Sequence, residues 1–182
     1  NQTRSPATLA EEPHMIDWLT LVVPCAHATP ITGGQVISIT PCGAVEWLCS
    51  KRQTVAGSFS TGLQVRTSTH TADPCTQIEI SGNPVKFFQG HNLWGTDDLP
   101  ALALATIERV ASLLSLTPTD SDRADWLAGA VQITRVDCTE SFHLGSLSEV
   151  LAWLRAAEQT SHLAHRGRGQ LVKGSTLYFG KN

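Results

Sequence analysis

Apolar and polar positions alternate in short runs over the first half of the chain, the period of strands, and recur at three- and four-residue steps in parts of the second half, the period of helices. Asp17-Trp18-Leu19-Thr20-Leu21-Val22-Val23 predicts a first strand that Pro24 stops. Val36 to Thr40 and Ala44 to Cys49 flank the turn Pro41-Cys42-Gly43 and predict a hairpin. Leu63 to Thr69 alternates and should lie antiparallel to Gln77-Ile78-Glu79-Ile80, with His70 to Pro74 as the connection. The strand period puts Gln77, Glu79 and Ser81 on one face and Ile78 and Ile80 on the other, so a carboxylate projects from a central strand and requires a partner. Beyond Gly82-Asn83-Pro84, Val85 to Gln89 predicts a further short strand. Gly90-His91-Asn92-Leu93-Trp94-Gly95 then closes the stretch on a backbone free to bend.

The helical period begins after Thr96-Asp97-Asp98, which offers an N-cap, with Pro100 in the first turn where its missing N–H costs least. Leu99, Leu102, Ala103, Ile107, Val110 and Leu114 give an amphipathic helix that ends before Pro118. Thr119 to Gly129 reads as an acidic connector whose Trp126-Leu127 tucks under that helix. Ala130 to Phe142 is the longest strand signal, with Val131, Ile133, Arg135, Asp137 and Thr139 on one face. Ser146-Leu147-Ser148-Glu149 has capping-box form and starts a second helix with Leu147, Val150, Leu151 and Leu154 as its apolar face. A turn at Gly167-Arg168-Gly169 and a last strand over Gly174 to Gly180 follow. Together these elements predict an α+β fold, a central antiparallel sheet with two main helices packed on one face and the other face open for chemistry. Residues 1–14, polar and carrying two prolines, read as an N-terminal extension or cloning remnant ahead of a single domain over residues 15–182.

At 182 residues and 41% hydrophobic content, the chain suffices for one well-buried domain and not for two comfortable ones. Its net charge of -3 removes any argument for nucleic-acid binding from overall charge. Distribution changes that picture. No acidic residue follows Glu158, whereas Arg166, Arg168, Lys173 and Lys181 do, so the C-terminal quarter is locally basic and Arg166, Arg168 and Lys173 are candidate phosphate contacts. A solvated basic tail is the alternative. Five cysteines, odd in number and without C-x-x-C spacing, read as reduced thiols of a cytoplasmic protein rather than as a disulfide framework or zinc site. His162-x-x-His165 has helical ligand spacing but no further ligands near it in sequence. No apolar run approaches the roughly 20 residues of a membrane span, so no membrane-crossing helix is expected.

The stretch from Ile78-Glu79-Ile80 through Pro84 and Lys86 to Gln89-Gly90-His91-Asn92 and Gly95 resembles the gene II replication initiators of filamentous phages. Met15-Ile16-Asp17-Trp18-Leu19 resembles the family's N-terminal start, and Ile133-Thr134-Arg135-Val136-Asp137-Cys138-Thr139 its R-[IV]-D strand, in the same order. The resemblance implies a rolling-circle initiator of the HUH-endonuclease type, acting on origin DNA, single-stranded or supercoiled, in the cytoplasm of a bacterial host alongside host replication proteins. It implies site-specific nicking and rejoining of one strand through a tyrosine–phosphate link, with a divalent cation, Mg or Mn, polarising the phosphoryl oxygen. The strand that names the HUH type reads Gln77-Ile78-Glu79 here, so the spacing is kept and the histidines are not.

On that resemblance Asp137 and Glu79, placed on neighbouring strands, are the candidate metal ligands, with His91 completing the set. A structural ion pair of Arg135 with Asp137 or with Glu79 is the alternative. Lys86, Asn92, Trp94 and Arg135 are candidate DNA contacts: cations for phosphate, a carboxamide for a base edge or backbone, and an indole for stacking an unpaired base. A core position for Trp94 is the competing reading. Tyr178 is the chain's single tyrosine, but the resemblance implies that the attacking tyrosine lies on a further strand past Asn182. A non-catalytic DNA- or RNA-binding or regulatory module is the rival function. Single-strand RNA readers place paired aromatics on central strands, where this chain places Glu79 and Asp137.

Overall fold

The computed structural model describes residues 14–68, 75–164 and 167–179, in two compact units that divide between Ser141 and Phe142. The first unit runs β1 (His14–Pro24), β2 (Gln35–Ile39), β3 (Val45–Ser50), β4 (Gln53–Ala56), β5 (Gly62–Thr67), β6 (Gln77–Gly82), α1 (Pro84–Gln89), α2 (Leu99–Leu113), α3 (Asp120–Leu127) and β7 (Gln132–Glu140). Its main sheet has the order β4-β5-β6-β1-β7, with every neighbouring pair antiparallel. The strand β1 is therefore interior, between β6 and β7. Strands β2 and β3 form a separate hairpin in which Val36 pairs with Cys49 and Ile37 with Leu48.

One face of the sheet carries the core. Leu19, Leu21 and Val23 of β1, Leu63 and Val65 of β5, and Ile78 and Ile80 of β6 meet Leu102, Ile107 and Val110 of α2 and Trp126 of α3 in a single buried cluster. Each such aliphatic side chain contributes about 1.5–3 kcal/mol on leaving water. The Trp126 indole N–H donates to the Pro24 carbonyl at 2.7 Å, which fixes α3 against the end of β1. Cys25 packs in the same core, where burial, with the Asp122 carboxylate nearby, pushes its thiol up to about 11 and leaves it unreactive.

Two segments expected as a strand and a connector are helices. Val85 to Gln89 is part of helix α1 rather than a strand: the Asn83 side chain accepts from the Lys86 N–H, Pro84 occupies the first turn, and Gly90 ends the helix at φ 83°. Those are the ordinary start and stop signals of a helix, and they outweigh the short apolar run. The acidic connector is likewise helix α3, started by a capping box in which Thr119 and Asp122 satisfy each other's backbone N–H groups.

Two bulges shape the pairing of β1 with β7. Between Thr20 and Leu21 the register slips so that Thr20 faces Arg135 and Leu21 faces Ile133. Ile133 thereby turns to the helix side, where with Val131 it lines an apolar cavity of about 270 Å³ bordered by α2 and α3. The expectation that Val131 and Ile133 share a face with Arg135 fails for this reason. The second bulge lies between Ile16 and Trp18 and leaves Asp17 as the extra residue.

The second unit holds α4 (Leu147–Thr160), which is the second helix expected from the sequence, followed by β8 (His162–Leu163), β9 (Gly167–Arg168), β10 (Gln170–Val172) and β11 (Thr176–Tyr178). These strands pair as two short hairpins, β8 with β9 and β10 with β11. Glu158 of α4 accepts the Leu171 N–H at 2.8 Å, tying the helix to β10. Residues 1–13, the His70 to Pro74 connection, His165, Arg166 and Gly180 lie outside the described residues. No helix among the described residues is long and apolar enough to cross a membrane.

Candidate nucleic-acid interface

The face opposite the helices is polar because strand alternation sends Gln64, Arg66, Glu79, Ser81, Thr20 and Arg135 to it. Thr20 and Ser81, directly opposed on β1 and β6, share a hydroxyl hydrogen bond of 2.9 Å across this face.

Glu79 is on this face but not free. Its side chain is only 6% exposed, and both oxygens are taken: Oε2 accepts from Arg66 Nε at 2.9 Å and Nη2 at 2.7 Å, while Oε1 accepts from Arg52 Nε at 2.8 Å and also from its Nη2. Burial alone pushes this carboxyl up, but the hydrogen bonds and charges of Arg52 and Arg66 outweigh it and hold the group below its ordinary value. Arg66 also donates to the Ser50 carbonyl at 3.2 Å, so the same pair of guanidinium groups fastens the foot of the β2–β3 hairpin to the sheet.

Asp137 is bound up as well. Arg135 donates to it twice, at 2.9 Å from Nε and 2.5 Å from Nη2, and these bonds hold its carboxyl below the ordinary range. The two acids do not meet. They sit on β6 and β7, with β1 between them; Glu79 faces Val22 and Asp137 faces Trp18. The separation of Trp18 from Val22 along β1 corresponds to about 13 Å. His91 is exposed, with Nδ1 3.4 Å from the Gln89 side-chain amide, and no three of His, Cys, Asp and Glu come together among the described residues. Glu79, Asp137 and His91 therefore do not fit a shared divalent-cation site, and the expected carboxylate pair is corrected to two separate arginine-bound acids.

What the face does assemble is a hub at Asp17, a residue that strand alternation by itself gives no reason to single out. The bulge turns this carboxylate out of the ladder, and its Oδ1 accepts the side-chain amides of Asn83 at 2.7 Å and Asn92 at 2.6 Å. Asn83 is the cap of α1, and Asn92 belongs to the loop after Gly90. Asn92, a candidate DNA contact, anchors its loop through this bond. Gln89 adds a second tie, its amide donating to the Trp94 carbonyl at 2.6 Å, and the Trp94 indole is left 70% exposed, which excludes the core reading of that residue.

Beside the hub lies a groove of about 380 Å³ whose walls include Asp17, Trp18, Gln64, Ser81, Asn83 and Lys86. Arg135 lies 5.1 Å from the centre of the Trp18 ring, a cation–π contact that sets the guanidinium over the indole. Among the described residues the buried Trp18 indole N–H meets no hydrogen-bond partner. An orphaned donor of this kind costs about 1–3 kcal/mol unless an acceptor arrives.

Over residues 15–182 the sequence matches the Phage CRI family, described as the N-terminal part of the phage gene II replication-associated protein. The chain belongs to this family. The replication-associated gene II protein of Enterobacteria phage I2-2 is 41% identical over 169 residues, a match that takes in 92% of this chain and 48% of that protein, so the chain spans about half the length of this relative. No solved structure matches the chain. Within this family member, Lys86 is exposed on α1 at the groove; Arg168 in β9, Lys173 in the turn after β10 and Tyr178 in β11 are exposed in the second unit.

Removing the charge at Glu79 tests the ion cluster. Because its folded value is depressed, its contribution to stability is complete above the unfolded carboxyl value of about 4.3 and is lost as pH falls through the lower folded value. Glu79→Gln is expected to cost about 2–3 kcal/mol at pH 7, less than a fully buried pair because Arg52 is partly solvated. Urea denaturation of both proteins from neutral to acid pH measures this; the gap should shrink on acidification, and equal stabilities at pH 7 would rule the cluster out as a support.

Proposed function

We propose that this chain engages one strand of origin DNA as the N-terminal part of a rolling-circle replication initiator, and that the full-length protein nicks and rejoins that strand. The observation that carries the reading is the polar groove beside the Gly90-His91-Asn92 loop in a member of a replication-associated family. Lys86 supplies an exposed cation at the groove, and Thr61 and Gln64 neutral polar groups, a set suited to phosphate and sugar oxygens. The groove also holds the Asp17 carboxylate, but two amides already satisfy one of its oxygens.

In the nicking step a tyrosine hydroxyl attacks the scissile phosphorus, the bond to the 3′ oxygen breaks, and the phenolic proton ends on the released 3′ hydroxyl. The tyrosine is left joined to the 5′ phosphate, and reversal of the step rejoins the ends. Tyr178 is not the attacking group in this proposal, since the resemblance puts the attacking tyrosine further along a longer chain. The engagement of Glu79 and Asp137 with arginines favours a second reading in which the described residues hold DNA without taking part in bond breaking.

Titration with a single-stranded DNA oligonucleotide over a range of salt tests the first part. Binding should weaken steeply with salt, and Lys86→Ala should reduce the log–log slope by about 0.7, one phosphate contact; salt-independent binding, or an unchanged slope in the variant, contradicts it. The second part is checked in a protein extended to the length of its phage relative. With supercoiled origin plasmid, Tyr178→Phe should nick as the parent does, and loss of the protein-linked nick in that variant would make Tyr178 the nucleophile.

A further inference from the structure

The turn between β4 and β5 is built against its own residues. Phe59 and Ser60 both adopt left-handed backbone conformations, φ 51° and 63°, and the Thr61 N–H donates to the Ser58 carbonyl at 3.1 Å. Two successive positive φ values closed by such a bond mark the mirror-image hairpin turn, whose favoured residues are Asn and Gly. An aromatic residue in that conformation is disfavoured, because its Cβ crowds the following carbonyl. Nor does burial compensate, since Phe59 is 84% exposed, the most exposed of the large hydrophobic residues described.

The neighbouring chain holds this turn in place. Gly57 lies so close to the Phe87 ring that an added Cβ would collide with it. Ser58 donates from its backbone to the Phe87 carbonyl at 2.9 Å and from its hydroxyl to the Phe88 carbonyl at 2.8 Å. The Thr61 hydroxyl lies 2.6 Å from the Ser58 carbonyl and 2.9 Å from the Lys86 carbonyl, within donating reach of both. The turn is thus stitched along α1, and the edge of the Phe59 ring rests on Gly90, where it occupies the space a Cβ would need. Gly90 opens the loop that Asn92 anchors to Asp17, and Thr61, two residues on from Phe59, lines the groove that contains Lys86.

We infer that Phe59 is a base-stacking finger for single-stranded DNA: an unpaired base leaving the groove past Thr61 and Lys86 stacks on its exposed ring beside Gly90. The inference rests on the DNA-binding reading of the open face and adds the residue that grips a base there. An exposed ring steadied by one edge against a glycine offers a platform that every base fits, so it supplies affinity without sequence preference.

The test uses the whole chain and a short mixed-sequence single-stranded DNA oligonucleotide carrying one 2-aminopurine. The double substitution Phe59→Asn with Ser60→Gly installs the residues the turn prefers. It should raise the melting temperature by a few degrees, weaken binding about tenfold as expected for the loss of one stack, leave the salt slope unchanged because no charge is removed, and abolish the fluorescence quenching seen with the parent. Phe59→Tyr, which keeps the ring, should bind as the parent does. Equal binding by parent and double variant overturns the inference while leaving the DNA reading standing. A double variant that melts lower and binds worse shows a packing role and also overturns it. If the parent binds no oligonucleotide, the DNA reading of the face fails and this inference with it.

Discussion

One extra residue in strand β1 decides where the chemistry of this molecule can sit. Without the bulge between Ile16 and Trp18, strict alternation could not keep both Ile16 and Leu19 in the core, and Asp17 would have no reason to leave the ladder. With it, the Asp17 carboxylate reaches two carboxamides that come from separate stretches, the cap of α1 and the loop after Gly90. That single acceptor oxygen converts a glycine-bracketed loop, whose backbone is otherwise free, into a fixed rim of the open face. Bulges next to functional sites commonly re-aim a side chain in this way.

The charges on the same face are arranged for support first. A lone carboxylate at Glu79, buried on a middle strand, would be far too costly unless neutralised, and the chain meets that cost with Arg66 from the next strand and Arg52 from the foot of the hairpin. The consequence for function is a division of roles. Glu79 and Asp137 hold arginines in place, and the exposed Lys86 side chain with the exposed aromatic rings of Phe59 and Trp94 remains for the proposed ligand. Cations and aromatic faces are the usual vocabulary of single-strand binding.

The amino-acid pattern makes the faces of β6, the antiparallel pairing of β5 with β6, the β2–β3 hairpin and helix α2 legible, because each depends on local period or turn residues. It also reveals the family through the ordered Ile78 to Gly95 motif. Helices α1 and α3 escape a reading by period although Asn83-Pro84, Gly90 and Thr119 announce them; in such short elements the caps carry more information than an apolar or acidic run. The partners of Glu79 are not legible, since Arg52 and Arg66 come from 27 and 13 residues away and only the sheet order brings them in. The same order, with β1 inserted between β6 and β7, is why the expected meeting of Glu79 and Asp137 does not occur. Of the two alternatives raised for Arg135, its pairing with Asp137 is the one formed, because two residues apart on one strand they share a face without help from topology.

The central claim is that DNA lies on the face that carries Trp18, away from the helices. The indole N–H resonances report on it directly, because Trp18 lines the groove on that face whereas the Trp126 donor on the helix side is already held by the Pro24 carbonyl. In a titration of the labelled protein with single-stranded DNA followed by two-dimensional NMR, the Trp18 indole signal should shift strongly and that of Trp126 should stay in place. A Trp18 signal that remains still while Trp126 moves would contradict the claim.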